Sequence, residues 1–378
     1  KELLTNSSPG HLPVWTFLPF RRSNSKYFGD RRTSMLDVAS RSLPIPPWDT
    51  NDQKFWIASV LGLRRNICPF LFPSKLSLSE KVQIIPLITQ SLRDCEHLHG
   101  LTSLEADKAN PWDRDFLIEN FLLTESIHQA HLGEAFVFDE HLSTLILVNL
   151  YDHIILKVAQ TGHKLHEGLS RLMELEKRME ETLSFAFSKE FGFMTSNPRL
   201  CGTGLLAQAF LILPGVVLSQ QLGQILKAKP FKGITCRMLV GGIVVLENRY
   251  GLGSSEDQVL AQLETAINHL IVVETNVNKK AISNGDSLLF DRIARTLGLL
   301  RYALHLTTQE ALEAIGLLKL GLNLGLIEGT SQRELNSLVF SVRKAHMSAS
   351  HKTSQTLEQN RALLMKNAVK GLELRFDS

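Results

Sequence analysis

The stretch TLILVNLYDHIILKVAQ, residues 144–160, contains two runs rich in β-branched and apolar residues, Thr144–Leu150 and Asp152–Gln160. Runs of this length and composition read as strands. Similar runs precede them at FWIASVL (Phe55–Leu61) and EAFVF (Glu134–Phe138), and follow at TCRMLVG (Thr235–Gly241) and IVVLEN (Ile243–Asn248). Between these groups, His166–Phe187 places Leu169, Leu172, Leu175, Met179, Leu183 and Phe187 at three- and four-residue steps, with Glu and Lys opposite. That periodicity predicts an amphipathic helix covering a sheet.

Toward the C-terminus the signals become helical. Ser254-Ser255-Glu256-Asp257 predicts a capped helix start, with the helix running to about Val277, and Thr307–Glu310 and Thr330–Glu334 carry the same hydroxyl-then-acid signature. Strands first and helices last predict an α+β domain over residues 36–285 and an all-helical domain over 286–378. Residues 1–35 are rich in Ser, Pro, Gly and Arg, with Arg21-Arg22 and Arg31-Arg32 near Phe20 and Tyr27. They read as a flexible basic arm, either a solvated tail or a segment binding an acidic partner or RNA. The prolines of Ser42–Asp49 exclude a helix there and mark a linker.

Composition narrows the class. The 378 residues are 44% hydrophobic and carry 41 basic against 38 acidic side chains, a net charge of +3 that gives no global field for nucleic acid. Cys68, Cys95, Cys201 and Cys236 are scattered without a paired spacing, which fits neither a zinc site nor a disulfide framework and points to a reducing cytoplasm. No run approaches the roughly 20 apolar residues of a membrane span.

Four segments, in order, resemble the bacterial McsB-type protein-arginine kinases, which belong with the phosphagen kinases among the ATP:guanido phosphotransferases. The resemblance spans about Leu36–Leu372. ASVLGLRRN (Ala58–Asn66) matches SSRIRLARN, with Val60 and Gly62 at the two phosphate-clamping arginines. NLYDHII (Asn149–Ile155) matches NEEDHIR: Leu150 and Tyr151 replace carboxylates, one of them the general base, Ile155 replaces an arginine, and Asp152 and His153 remain. Phe121 stands at a histidine near the nucleotide. NPRLCGTGLLAQ (Asn197–Gln208) matches CPTNVGTGLRAS, with Asn197 at the reactive cysteine and Leu206 at an arginine. The fourth landmark, RGxYGEG followed by SEALGN, leaves Arg237 as its candidate arginine, ten residues before Asn248, and implies a shortened loop. In the C-terminal region, LEQNRA (Leu357–Ala362) matches a phosphoarginine-reading RDxxRA motif, keeping Glu358 and Arg361.

The resemblance implies a phosphagen-kinase-like antiparallel sheet flanked by helices, then a helical domain that helps form a homodimer. Its candidate partners are an McsA-type zinc-containing activator and a Clp-type protease machine. The losses imply a catalytically deficient homologue acting as an adaptor, with no cofactor and no metal. One alternative is a divergent kinase needing Mg-ATP and a partner, in which Arg64, Arg65, Arg199 and Arg237 replace the missing cations; another is a phosphoarginine-binding module. Arg65, Asp152, His153, Gly202, Thr203, Gly204 and Arg237 are the residual phosphate-site candidates. Gly202-Thr203-Gly204 also reads as a plain turn into a helix, and Asp152-His153 as a satisfied structural pair. His97, His99, His163 and His166 lack the spacing of a metal site and read as solvated. Leu317, Leu320, Leu324 and Ile327 form either core or dimer surface, and the resemblance favours some dimer surface.

Overall fold

A computed structural model describes residues 52–92, 98, 101–123, 131–139, 142–228, 231–350 and 355–375. The arm, the Pro-rich linker, Cys95, His97 and His99 lie outside the described residues. In chain order the strands are β1 (Trp56–Arg65), β2 (Thr102–Glu105), β3 (Ala135–Phe138), β4 (Thr144–Val148), β5 (Ile154–Thr161), β6 (Phe187–Ser188), β7 (Gly192–Phe193), β8 (Leu205–Ile212), β9 (Ile234–Met238), β10 (Ile243–Asn248), β11 (Ile327–Glu328) and β12 (Glu373–Leu374). Eight of them form one antiparallel sheet in the order β2-β3-β4-β5-β1-β8-β10-β9.

Both faces of this sheet are covered, which is why its inner strands read as unbroken apolar runs rather than as alternating ones. Helices α1 (Leu78–Ser91), α2 (Pro111–Glu119) and α3 (Leu165–Glu180) come first, then α4 (Pro214–Leu218), α5 (Leu222–Ala228) and α6 (Glu256–Ser283). One core joins Leu61, Leu63, Leu156 and Val244 of the sheet to Ile84 and Ile88 of α1, Leu169 and Leu172 of α3 and Leu263 and Ile267 of α6. Helices α7 (Ser287–Tyr302), α8 (Thr308–Asn323), α9 (Gln332–Ser341), α10 (Lys344–Ser350) and α11 (Leu357–Ala368) follow. The second core joins Val60, Ile155, Phe210 and Val245 of the opposite face to Leu297 of α7, Leu312 and Ile315 of α8, Phe340 of α9 and Met365 of α11.

The predicted caps hold: Ser255, Thr307 and Ser331 each accept from the backbone of the third helical residue in a capping box. Several expectations fail for tertiary reasons. Helix α3 stops at Glu180 because Phe185 and Ala186 pair with the chain just after β1, which carries Phe187 into the β6–β7 hairpin against the Phe193 ring. The Gly202–Gly204 turn, one reading of which leads into a helix, leads instead into β8 between β1 and β10; strand pairing overrides the helix propensity of Leu, Ala and Gln. Helix α6 runs six residues beyond Val277, to Ser283. Leu317, Leu320, Leu324 and Ile327 are all buried within the chain, at most 9% exposed, so they are core and not a subunit surface.

Lys319 of α8 is fully buried, donating to Gln332 Oε1 and Asn336 Oδ1 at 2.6 Å each, and burial pushes its pKa down to about 7. Below pH 7 the ammonium is charged in both folded and unfolded chains, so the burial cost is fully present. Between about 7 and 10.5 only the unfolded chain keeps the proton, so this group's contribution rises with pH. Lys319→Met removes that rise: the stability of the variant relative to the native chain falls from pH 7 to pH 9.5, as read by urea denaturation at stepped pH.

Candidate functional site

Residues directly paired across antiparallel strands share a face. Gly62 pairs with Lys157 and Leu206, Val60 with Ala159 and Gln208, and Arg64 with Ile155. The four positions at which the resemblance puts cations, Val60, Gly62, Ile155 and Leu206, therefore lie together on one face at the sheet's centre. Val60 and Ile155 are 1% and 2% exposed and belong to the core shared with the C-terminal helices. Phe121 closes the same region: its ring stacks on Phe210 at 4.0 Å, meets Phe340 edge-on at 5.4 Å, and lies 5.0 Å beneath the Arg343 guanidinium.

Sequence reasoning passed over Lys157, whose only signal was a cation inside an apolar strand run. Its side chain is buried beside Gly62, and Nζ donates to Leu122 O at 2.7 Å. Burial, reinforced by Arg64 and Arg237 and opposed by Glu247, pushes its pKa down to about 7. Glu247 accepts from Gln208 Nε2 at 2.7 Å and from Thr235 Oγ1 at 3.3 Å, with Arg237 Nε 4.0 Å away.

The fourth landmark also needs a new position. Tyr250-Gly251-Leu252-Gly253 repeats the YG.G of RGxYGEG, and Gly251 packs against the Gly202–Gly204 turn, where a Cβ on Gly202 would lie 2.9 Å from Gly251 O. Placed so, the landmark's arginine falls on Glu247, an acid. The segment between Arg237 and Asn248 is then the β9–β10 hairpin rather than a shortened substrate loop.

The residues retained from the family pattern are held by the protein itself. Asp152 is fully buried: Oδ1 accepts from Asn66 Nδ2 at 2.7 Å, Ser196 N at 2.6 Å and Ser196 Oγ at 2.8 Å, and Oδ2 from Arg64 Nη1 at 3.0 Å. His153 accepts from Ile67 N at Nδ1, 2.9 Å, so its proton sits on Nε2 and is donated to Leu71 O at 2.8 Å. Burial lowers its pKa, in keeping with a neutral ring. Arg65 is buried under the Phe193 ring, paired with Glu176 and donating to Arg64 O and Thr203 O. Gly204, at φ +67°, passes so close to Arg65 that a Cβ would lie 2.5 Å from Nη1. The glycines of this turn thus serve packing, and Thr203 Oγ1 accepts from Leu205 N.

Tyr151, 47% exposed, and half-buried Leu150 stand at the carboxylate positions. Asn197 accepts from Arg199 N and opens a short 3-10 turn, while Cys201, four residues on, is buried beside Thr195. Arg199 is exposed. At the far end of the chain, the buried Arg361 donates to Val342 O at 2.6 Å and Leu306 O at 2.7 Å, whereas Glu358 is exposed. His163 and His166 both approach Glu264 Oε1, at 3.1 and 3.6 Å. Among the described residues no group of three His, Cys, Asp or Glu side chains is placed to hold a metal, and no helix is long and apolar enough to cross a membrane.

Asp152 collects donors from three segments, so its loss strips the partly buried Arg64 guanidinium and the Asn66 amide of their acceptor. Asp152→Ala destabilises the chain by about 3 kcal/mol in chemical denaturation, a cost of the size measured on breaking buried ion pairs.

Comparison with known proteins agrees with this architecture. The family model for the C-terminal catalytic domain of ATP:guanido phosphotransferases matches residues 83–277, and that for the McsB protein-arginine kinase C-terminal domain matches 286–375. A protein-arginine kinase from Chlamydia pneumoniae is 32% identical over 84% of this chain and 93% of its own length. Among solved structures, lombricine kinase superposes with a TM-score of 0.52 at 18% identity, covering 66% of this chain and 72% of that one. The substrate-free duplicated taurocyamine kinase from Schistosoma mansoni gives 0.51 at 21% identity; 62% of this chain covers only 35% of that one. With a phosphagen-kinase fold and these two matches end to end, the chain belongs to the ATP:guanido phosphotransferase family, among the protein-arginine kinases of the McsB type.

Proposed function

We propose that this family member is catalytically deficient and acts in the cytoplasm as an adaptor, binding other proteins through a retained kinase scaffold. The observation that carries the reading is the packed centre of the sheet face: Val60 and Ile155 lie buried in the core where phosphate-holding arginines are expected, and Phe121 fills the neighbouring space. Phosphoryl transfer depends on positioning and on positive charge around the nucleotide. Losing one oriented donor costs about 10² to 10³ in rate, and losing a general base about 10² to 10⁴. Apolar residues at Val60, Ile155 and Leu206, glycine at 62 and an acid at Glu247 leave a triphosphate without compensation for its desolvation.

The partners proposed from the family are an McsA-type zinc-containing activator, a Clp-type protease machine and a second copy of the chain. A second reading, a divergent protein-arginine kinase completed by a partner and using Mg-ATP, draws on Arg64, Lys157 and Arg237, which share the face. It is the weaker one, since Arg64 is bonded to Asp152 and Lys157 to Leu122 O. A phosphoarginine-reading role for Glu358 and Arg361 is disfavoured because Arg361 spends its donors on backbone carbonyls.

Calorimetric titration with Mg-ATP, beside a phosphoarginine assay on casein with and without an McsA-type partner, tests the proposal. The adaptor reading predicts no binding heat and no phosphoarginine in either arm. Phosphoarginine formed only with the partner would establish the second reading instead. Arg361→Ala is expected to lower thermal stability and to leave binding of a phosphoarginine peptide at the level of the native chain.

A further inference from the structure

Strand β9 is one end of the eight-stranded sheet, and among the described residues no strand pairs with its outer side. The hydrogen bonds that bracket it fix which of its backbone groups face outward. Leu239 N donates to Ile243 O at 2.8 Å and Arg249 N to Gly233 O at 2.7 Å, so the hydrogen-bonded pairs with β10 are Arg237 with Val245 and Thr235 with Glu247. Ile234, Cys236 and Met238 occupy the alternate pairs, and their N–H and C=O groups point away from β10. Ile234 N is spent on Phe231 O at 3.1 Å. The main chain of Cys236 and Met238 therefore presents donors and acceptors along the outer edge. Such edges are usually blunted by a proline or a bulge. β9 has neither: its register with β10 runs unbroken, and Gly241 of the connecting turn packs too closely on Leu312 of α8 to accept a side chain. The edge is held extended before any partner arrives, which lowers the ordering cost of pairing.

The two faces of this edge differ in chemistry. Met238, 52% exposed, and Cys236 lie on the side of Val244 and Leu246, where Cys236 packs against the apolar core shared with α6. Thr235 and Arg237 lie on the other side with Val245 and Glu247. The Arg237 side chain is 39% exposed, and its acid, Glu247 at 4.0 Å, also accepts from Gln208 and Thr235. A guanidinium so placed keeps donors for a second carboxylate. Lys232, exposed just before the strand, adds another cation.

We propose that β9 is a docking edge for an extended segment of a partner protein, which adds as a further strand with apolar residues opposite Cys236 and Met238 and an acidic residue opposite Arg237. Main-chain bonds to Cys236 and Met238 supply affinity, and the apolar–acidic–apolar alternation supplies selection. The residue opposite Arg237 stands in a pair without main-chain bonds, where side chains approach most closely. A second copy of β9 cannot supply that acid in any register, because residues 229–246 contain none. The inference deepens the adaptor reading, on which it rests for the existence of a partner, by naming the surface and the kind of segment it takes.

The test titrates the full chain, to about 1 mM, into a fluorescein-labelled, end-blocked peptide Thr-Val-Glu-Val-Thr, read by anisotropy, with hydrogen exchange of the β9 amides alongside. Saturable binding is expected, together with slowed exchange at Cys236 and Met238, whose amides exchange fast in the free chain. Methylating alternate peptide nitrogens abolishes binding, as does Cys236→Pro, a substitution an outward-facing edge position tolerates. Arg237→Glu weakens binding about tenfold, and a peptide with lysine in place of glutamate recovers it. Arg237 is partly exposed, so that charge exchange decides the matter should Cys236→Pro fail to fold. No saturable binding would overturn the proposal, and so would binding that survives methylation. Slow exchange of Cys236 and Met238 in the free chain would overturn it too: slowing that grows with concentration would give the edge to a second copy, and slowing independent of it to a segment of the same chain. All of these readings are taken without nucleotide, so they stand apart from the Mg-ATP titration that tests the adaptor reading.

Discussion

The antiparallel pairing of β1 with β5 on one side and β8 on the other is the constraint from which the rest of the structure follows. It sets Gly62 between Lys157 and Leu206, turns Val60 and Ile155 to the same face, and sends Leu61, Leu63 and Leu156 to the other. Because a one-residue slip would exchange the two faces, the register is enforced by two separate cores rather than by one. Asp152 then anchors the strand ends. Its bonds to Asn66, Arg64 and Ser196 tie the end of β1, the approach to β5 and the loop before the 3-10 turn into one rigid corner.

That corner shows what the residues kept from the family pattern do for the scaffold. The residues kept from the family pattern at the corner, Asn66, Asp152, His153, Arg65 and the Gly202–Gly204 turn, all have structural partners within the protein. Of the positions that differ, Val60, Ile155 and Phe121 join the apolar core shared with the C-terminal helices. A face built to hold a nucleotide has to stay hydrated and cationic, whereas this one gains stability from exclusion of water. Lys157 marks the contrast, a cation held under a carbonyl with its pKa pushed down to about 7.

Much of this was legible in the residues themselves. Strands buried on both faces announce themselves as apolar runs, and caps such as Ser255 and Thr307 act locally, so β4, β5, β10 and the helix starts could be read directly. Strand β8 could not, because Leu-Leu-Ala-Gln-Ala-Phe has no intrinsic bias against a helix and is strand only through its two neighbours. Arg64, Arg65 and Arg237 looked equivalent along the chain; geometry separates an ion pair, a buried strut and a half-exposed partner of Glu247. The site positions were found by matched motifs, and only the register showed that the replaced ones share a single face. Lys157 and Glu247 were missed because a charged residue inside a strand carries no label for the face it occupies.

On the adaptor reading, the middle of this sheet face is a packed core and not a nucleotide site. Hydrogen exchange of the β1, β5 and β8 amides and of the Phe121–Leu123 segment, with and without saturating Mg-ATP, tests it most directly. The account predicts deep protection in both conditions and no difference between them. Fast exchange in the free chain that becomes protected when Mg-ATP is added would contradict it.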